Sequence, residues 1–71
     1  MKAAKFRDID RVLRRLGYRH VRTHGSHYMY SKPDSPIVIP VPFKKGDIPA
    51  GTVRSILEAA GLSWREFLDM K

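Results

Sequence analysis

The chain is 71 residues long, which allows one small domain over residues 1–71 but no catalytic cavity buried between subdomains. It has no cysteine, which excludes a disulfide framework, thiol catalysis and thiolate metal sites. Fourteen Lys and Arg residues against seven Asp and Glu residues give a formal net charge of +7, and this excess favours a polyanionic partner such as nucleic acid.

The distribution of charged and apolar residues narrows the class of protein further. Residues 1–22 contain two acids, Asp8 and Asp10, and many more bases. These bases are Lys2, Lys5, Arg7, Arg11, Arg14, Arg15, Arg19 and Arg22. The longest apolar stretch, residues 37–43, is too short to span a bilayer, so we expect a cytoplasmic protein without a membrane segment.

Near the start of the chain, apolar residues recur every three or four positions. They are Phe6, Ile9, Val12, Leu13 and Leu16. This period predicts an amphipathic helix over residues 3–16, with arginines on its solvent face. Gly17 follows directly and is expected to end the helix in the left-handed conformation.

A β-hairpin is predicted next, because two segments rich in aromatic and β-favouring residues, 18–24 and 27–31, flank a two-residue turn signal. The turn is formed by Gly25 and Ser26. Glycine at the first central position favours a type II′ turn, which pairs His24 directly with His27. Directly opposed residues have Cβ atoms about 5 Å apart, so two imidazoles are expected side by side at the hairpin tip.

Alternation along the two strands predicts which side chains share a face. One face, expected to join the core, collects Val21, Thr23, Tyr28 and Tyr30. The other, expected to be open to solvent and cationic, collects His20, Arg22, His24, His27 and Met29. A one-residue bulge would reverse part of this assignment.

A third strand is predicted over residues 37–42, after a connection formed by residues 32–36. Pro40 and Pro42 are two positions apart, so both missing N–H groups lie on the same side of the strand. That side cannot be paired, and the strand is therefore expected at the edge of the sheet.

The rest of the chain reads as a loop over residues 43–50 and two helices. The first helix spans residues 51–60, buries Val53, Ile56, Leu57 and Ala60, and ends at Gly61. Ser63 and Glu66 have the spacing of a capping box, so a short last helix is expected to start at Ser63 and to pack Phe67 and Leu68 inward. The predicted class is α+β, in the order α-β-β-β-α with an additional C-terminal helix.

Several motifs in this order resemble the HicA family of toxins from bacterial and archaeal toxin–antitoxin pairs. The matching features are Gly17 and Tyr18 after the first helix, Arg22-x-x-Gly25-Ser26-His27, Val41-Pro42 at a strand end, Gly51-Thr52-Val53-Arg54-Ser55-Ile56-Leu57, and Ala60-Gly61-Leu62. The resemblance covers nearly the whole chain. It implies a fold similar to double-stranded RNA-binding domains, with a three-stranded antiparallel sheet and helices on one face.

The resemblance also implies a function. His27 corresponds to the catalytic histidine of a ribonuclease that cleaves mRNA and is neutralised by a HicB-type antitoxin. His24 does not belong to the family motif. Many relatives carry a further histidine in the loop after the third strand, where this chain has Phe43, Lys44 and Lys45.

The residues themselves are suited to metal-independent RNA cleavage, because RNA carries its own nucleophile, the 2′-hydroxyl. Such cleavage needs neither a metal nor another cofactor, only a base, an acid and cations around the phosphate. We expect His27 to transfer protons and Gly25 and Ser26 to hold the turn. The expected phosphate-binding residues are Arg22, His24, Lys44, Lys45 and Arg54.

Other interpretations of the same residues remain open at this point. His24 is either the second proton-transfer group or a solvated turn residue, and His20, His24 and His27 together are a possible metal site. Tyr28 and Tyr30 suit the core better than base stacking, and Trp64 suits packing. For the whole chain, the alternatives are a non-catalytic double-stranded RNA-binding module and an adaptor that docks an acidic protein.

Overall fold

The computed structural model describes residues 1–71 and contains three helices and two antiparallel sheets. The elements in chain order are β1 (Ala4–Lys5), α1 (Phe6–Arg15), β2 (Arg19–His24), β3 (His27–Lys32), β4 (Ser35–Pro42), β5 (Asp47–Ile48), α2 (Ala50–Ala60) and α3 (Trp64–Met70). The main sheet has the order β2-β3-β4, and β1 pairs with β5. The predicted α+β class, with three antiparallel strands in the order α-β-β-β-α, is confirmed.

The hairpin between β2 and β3 has the predicted register, with His24 opposite His27. Gly25 has a φ of +63°, whereas no residue other than glycine has a positive φ. A type I′ turn needs positive φ at both central positions, so the turn at Gly25 and Ser26 belongs to the predicted type II′. The glycine therefore determines which two residues face each other across the tip.

The third strand lies at the sheet edge, as its prolines predict. Strand β4 pairs only with β3, and Pro40 and Pro42 lie opposite Met29 and His27. A proline cannot donate a hydrogen bond to a strand, so these positions leave the outer side of β4 unsuitable for another strand.

A β-bulge in β2 overturns part of the predicted face assignment. The register shifts between His20 and Arg22, so Val21 is the extra residue and is 49% exposed. His20 consequently pairs with Tyr30 and shares its face, contrary to the prediction that it joins the other histidines. Thr23 keeps the predicted face but is exposed. Upstream of a bulge the alternation of side chains is inverted, which explains why the prediction fails there.

The structure contains two short strands, β1 and β5, that the sequence does not predict. Ala4 pairs with Ile48 and Lys5 with Asp47, so the chain before Phe6 is extended and the first helix begins three residues later than predicted. Ala4 is 9% exposed and Ile48 fully buried, and this apolar pair joins the loop after β4 to the start of α1. Gly17, with a φ of +98°, ends the helix as predicted.

The core is one cluster of buried apolar side chains between one face of the main sheet and the helices. Its thirteen members are Ala4, Ile9, Val12, Leu13, Tyr18, Tyr30, Ile39, Val41, Ile48, Val53, Ile56, Leu57 and Phe67. The predicted capping box of α3 is present, because the Ser63 hydroxyl accepts from the Glu66 N–H and the Glu66 carboxylate from the Ser63 N–H. Leu68 is 39% exposed, so its predicted burial is wrong.

The helices contain 10, 11 and 7 residues, and none has the length and apolar character that crossing a membrane requires. With the helices on one face of the main sheet, the second face is left uncovered around the hairpin tip. We call this second surface the open face; it is formed by Arg22, His24, His27, Met29 and Pro40.

Candidate functional site

His27 is the first residue of β3 and is exposed on the open face. Its side chain makes no hydrogen bond or ion pair, and the imidazole of His24 lies on the same face directly across the turn. The tip is held in place by the chain after β4, because the Phe43 N–H donates to the Ser26 carbonyl oxygen over 2.8 Å. An imidazole without an internal partner, on a fixed turn, is free to exchange a proton with a bound molecule.

Two shallow depressions border His27. The first, of about 430 Å³, lies on the open face, and Arg22, His24, Met29 and Pro40 complete its lining. Arg22 is exposed and forms no ion pair, so its charge is available to an anion in this depression. Arg22, His24 and His27 therefore lie on one exposed face, as the strand alternation predicts.

The second depression is a groove of about 530 Å³ between β4 and α2. His27 and Pro42 lie at one end of the strand, and the helix contributes Gly51, Thr52 and Ser55. Small side chains at these helix positions leave the space open. Apart from His27, the groove has no ionisable side chain in its lining, so it suits an uncharged group rather than a phosphate. Sequence analysis missed the groove, although the run of small residues at the start of α2 is the signal for it.

Lys44 and Lys45 do not line either depression beside His27. They surround a third depression, of about 350 Å³, together with Lys5, Arg7 and two phenylalanines. The pairing of β1 with β5 explains this placement, because it draws the loop after β4 toward the start of α1. The lysines therefore line a different depression from the histidine with which the sequence had grouped them.

Arg54 lies on α2 and lines none of the three depressions. Its guanidinium Nε is 3.4 Å from Glu58 Oε2, one turn further along the helix. Both side chains are about two-thirds exposed, at 68% and 65%, so this ion pair is weak and holds the arginine only loosely. Arg54 therefore shares no depression with His27.

His20 lies on the opposite face of the sheet from His24 and His27. Its ring stacks on Tyr28 with 4.1 Å between ring centroids, and its Nε2 is 2.8 Å from the Thr23 hydroxyl. No group of three His, Asp or Glu side chains is arranged to hold a metal ion, and the alternative of a three-histidine metal site does not agree with the fold.

The tyrosines on the hairpin belong to the helix-covered face, as expected. Tyr30 is fully buried, and its hydroxyl donates to Asp10 Oδ1 over 2.5 Å. Burial first, and the hydrogen bond to Asp10 second, raise the pKa of Tyr30. Asp10 also holds Arg14 at 2.9 Å, and this contact raises the pKa of the guanidinium. The hydrogen bond from Tyr30 to Asp10 connects β3 to α1 on the side of the sheet opposite the open face.

Tyr28 and Trp64 also pack within the domain. Tyr28 is half-buried between the rings of His20 and Phe43. Trp64 is half-buried against Phe67, with 5.4 Å between ring centroids. Neither ring lines a depression at His27.

The chain was also compared with known proteins, and one comparison gave a match. The family model described as HicA toxin of bacterial toxin–antitoxin systems matches residues 6–62, which run from the first residue of α1 to the second residue after α2. The matched segment includes the hairpin, the edge strand and the groove. No match was found among curated proteins.

Proposed function

Because this chain belongs to the HicA family of toxins, we propose that it is a metal-independent endoribonuclease that cleaves mRNA and is neutralised by a HicB-type antitoxin. The observation that carries the proposal is the placement of His27. Its imidazole is exposed at the tip of a fixed turn, borders two depressions, and has the unpaired cation Arg22 on the same face. With an mRNA substrate, we expect the protein to act in the cytoplasm.

The reaction that fits these residues is attack of a ribose 2′-oxygen on the adjacent phosphorus. The O2′–P bond forms and the P–O5′ bond breaks, which gives a 2′,3′-cyclic phosphate and a free 5′-hydroxyl. A base accepts the 2′-hydroxyl proton, and an acid donates a proton to the leaving 5′-oxygen. His27 performs one of these transfers, and Arg22 stabilises the charge that develops on the phosphorane.

We infer that His24 performs the complementary transfer. It lies directly opposite His27, at a Cβ separation of about 5 Å for such pairs. A neutral and a protonated imidazole side by side can act as base and acid on one phosphate. The loop after β4, where relatives carry a histidine, has none in this chain, which leaves His24 as the second imidazole of the open face.

The antitoxin in this proposal is an acidic protein that covers the open face. That surface combines the charge of Arg22 with apolar groups of Met29 and Pro40, which suits a protein partner as well as a polyanion. Antitoxin and RNA are therefore expected to compete for the chain. An adaptor without RNA-binding function would bind such a protein but show no salt-dependent affinity for RNA.

The test is incubation of the purified chain with single-stranded RNA in EDTA. We expect cleavage to products with 2′,3′-cyclic phosphate ends, and no cleavage of DNA of the same sequence. His27→Gln is expected to cut at least about 100-fold more slowly, because general acid–base catalysis contributes about 10²–10⁴-fold.

His20→Gln is the matched control. It makes the same substitution on the opposite face of the sheet, and glutamine retains a group that can form a hydrogen bond with Thr23. We expect this variant to cut within a few-fold of the wild-type rate. Equal rates for His27→Gln and wild type would overturn the catalytic assignment, and intact RNA combined with tight duplex binding would favour a non-catalytic double-stranded RNA-binding module.

A further inference from the structure

The third depression contains the densest cationic surface near the hairpin, and the cleavage chemistry at His27 makes no use of it. We call it the Phe43 pocket; it is lined by Lys5, Phe6, Arg7, Phe43, Lys44 and Lys45 and has a volume of about 350 Å³. Four of its six residues are cationic, and the other two are aromatic. A pocket of this composition is complementary to a ligand that is both anionic and planar.

The charge of the pocket is largely uncompensated. Lys5 Nζ lies 3.5 Å from Asp47 Oδ1, but both side chains are more than half exposed, so the pair is weak. Arg7, Lys44 and Lys45 form no ion pair. Neutralising these charges with phosphates would release counterions, and this favours binding of a nucleic acid strand.

The aromatic part of the pocket is held rigidly. Phe43 stacks on Tyr28 with 4.9 Å between ring centroids and an interplanar angle of 11°, and Tyr28 stacks in the same way on His20. Phe6 meets the Phe43 ring edge-on, with centroids 4.9 Å apart. Phe43 is thus the last ring of a stack, and it remains 52% exposed among cations.

The pocket is also connected to the hairpin tip. Phe43 follows Pro42, the partner of His27 in the sheet, and its N–H donates to the Ser26 carbonyl. His27 faces the open side of the sheet, whereas the Phe43 ring lies against Tyr28 on the other side. An RNA strand with its scissile phosphate at His27 therefore reaches the Phe43 pocket by passing around the tip.

We propose that the Phe43 pocket is a second nucleotide subsite, which binds an unpaired nucleotide near the cleaved phosphate in the same RNA strand. The base stacks on Phe43, and the backbone phosphates contact Lys44, Lys45 and Arg7. A base inside a duplex has both faces covered by its neighbours, so stacking on Phe43 selects RNA that is single-stranded at this position. This inference rests on the proposed function, because it takes the strand cleaved at His27 as the ligand.

The test measures binding of a fluorescent single-stranded 2′-O-methyl RNA, which lacks the nucleophile and is not cut. A matched set of strands carries one abasic site, moved along the sequence. For the wild-type chain, we expect one abasic position to weaken binding about fivefold or more, since a base stacked on an aromatic ring contributes on this scale. Phe43→Leu is expected to bind intact and abasic strands equally, because leucine keeps apolar bulk but has no ring face.

Ile37→Ala is the control for loss of an exposed apolar side chain, since Ile37 is 45% exposed and lines no part of the pocket. We expect it to retain the preference for the intact strand. As a second measurement on the unaltered chain, 2-aminopurine at the sensitive position should lose fluorescence on binding. Unchanged fluorescence at every position would overturn the proposal even if Phe43→Leu failed to fold.

The cations are tested by the double variant Lys44→Gln/Lys45→Gln. Each phosphate contact on a single strand contributes about 0.7 to the slope of log affinity against log salt, so the slope should fall by about 1.4. Arg65→Gln/Lys71→Gln removes the same charge from the α3 end of the chain, outside the pocket, and should leave the slope unchanged. Equal slopes for both double variants would overturn the phosphate contacts.

Failure of this inference differs from failure of the proposed function. A chain that cuts RNA at His27 but binds intact and abasic strands equally has no base subsite, although it is a ribonuclease. A chain that cuts no RNA but shows the Phe43-dependent preference retains the subsite as an RNA-binding site and loses the catalytic assignment.

Discussion

The two faces of the hairpin strand β3 differ sharply although their residues alternate along a single segment. Tyr30 is fully buried and bonded to Asp10, whereas His27 and Met29 point to the open face, where nothing covers the imidazole. One face therefore fixes the position of the strand, and the other presents the candidate catalytic group. This separation means that substitutions on the open face should change RNA cleavage and binding while leaving stability nearly intact.

The largest expected effect on stability comes from a substitution in the edge strand β4, where neighbouring residues lie on opposite faces. Ile39 is 1% exposed on the covered face, and its neighbour Val38 is 40% exposed. Ile39→Ala should lower the free energy of unfolding by about 2–5 kcal/mol, because it removes buried methyl groups and leaves a cavity. Val38→Ala should change it by less than about 0.5 kcal/mol. Urea denaturation of both variants is the measurement, and similar losses would contradict the placement of the two faces.

A smaller effect is expected from the hydrogen bond behind the open face. Tyr30→Phe removes the hydroxyl that donates to Asp10 and should cost about 1.5–3 kcal/mol, the range for a hydrogen bond to a charged group. Tyr28→Phe is the matched control on the same strand, because the Tyr28 hydroxyl makes no side-chain hydrogen bond within the chain. Chemical denaturation measures the loss of unfolding free energy in each variant. Equal losses for Tyr30→Phe and Tyr28→Phe would show that the contact with Asp10 contributes nothing.

The same tyrosine predicts how stability depends on pH. Burial and the bond to Asp10 raise the pKa of Tyr30 above its ordinary value of 10.0, so the folded chain favours the neutral phenol. The stability that this preference contributes is fully present below about pH 10, the pKa of tyrosine in the unfolded chain. Above that pH, the free energy of unfolding falls by at most about 1.4 kcal/mol per pH unit. Between pH 9 and pH 11, denaturation should therefore show a larger loss of unfolding free energy for wild type than for Tyr30→Phe. Equal losses would contradict a raised pKa of Tyr30 in the folded chain.

The elements that the sequence predicted correctly carry strong local signals. The two prolines of β4 specify an edge strand, glycine in the turn specifies the pairing of His24 with His27, and Ser63 with Glu66 specifies a helix start. Each signal depends on residues no more than three positions apart. Short-range chemistry was sufficient for the turn that presents His27.

The features that the sequence did not predict depend on distant contacts. Val21 is apolar and fits an alternating strand, so nothing local indicates that it is the extra residue of a bulge. The β1–β5 pair has two residues on each strand, which is too short for any period, yet it brings Lys44 and Lys45 into a depression with Lys5 and Arg7 instead of one with His27. The Phe43 pocket follows from that pairing and from packing of Phe6, and only the fold brings these segments together.

The smallest expected effect concerns the turn that joins the two faces, and two glycines provide a direct comparison. Gly25 has a φ of +63°, a conformation that costs an L residue about 1–2 kcal/mol, whereas Gly46 has no positive φ and open space where a Cβ would lie. Gly25→Ala should therefore destabilise the chain by about 1–2 kcal/mol, and Gly46→Ala should be neutral or stabilising by up to about 1 kcal/mol. Because a strained turn also changes the relative positions of His24 and His27, Gly25→Ala should cut RNA more slowly than Gly46→Ala even under conditions where both are fully folded. A Gly25→Ala chain that kept the wild-type cleavage rate would show that the two imidazoles need no fixed separation, and His24 would then lose its role as the complementary acid or base.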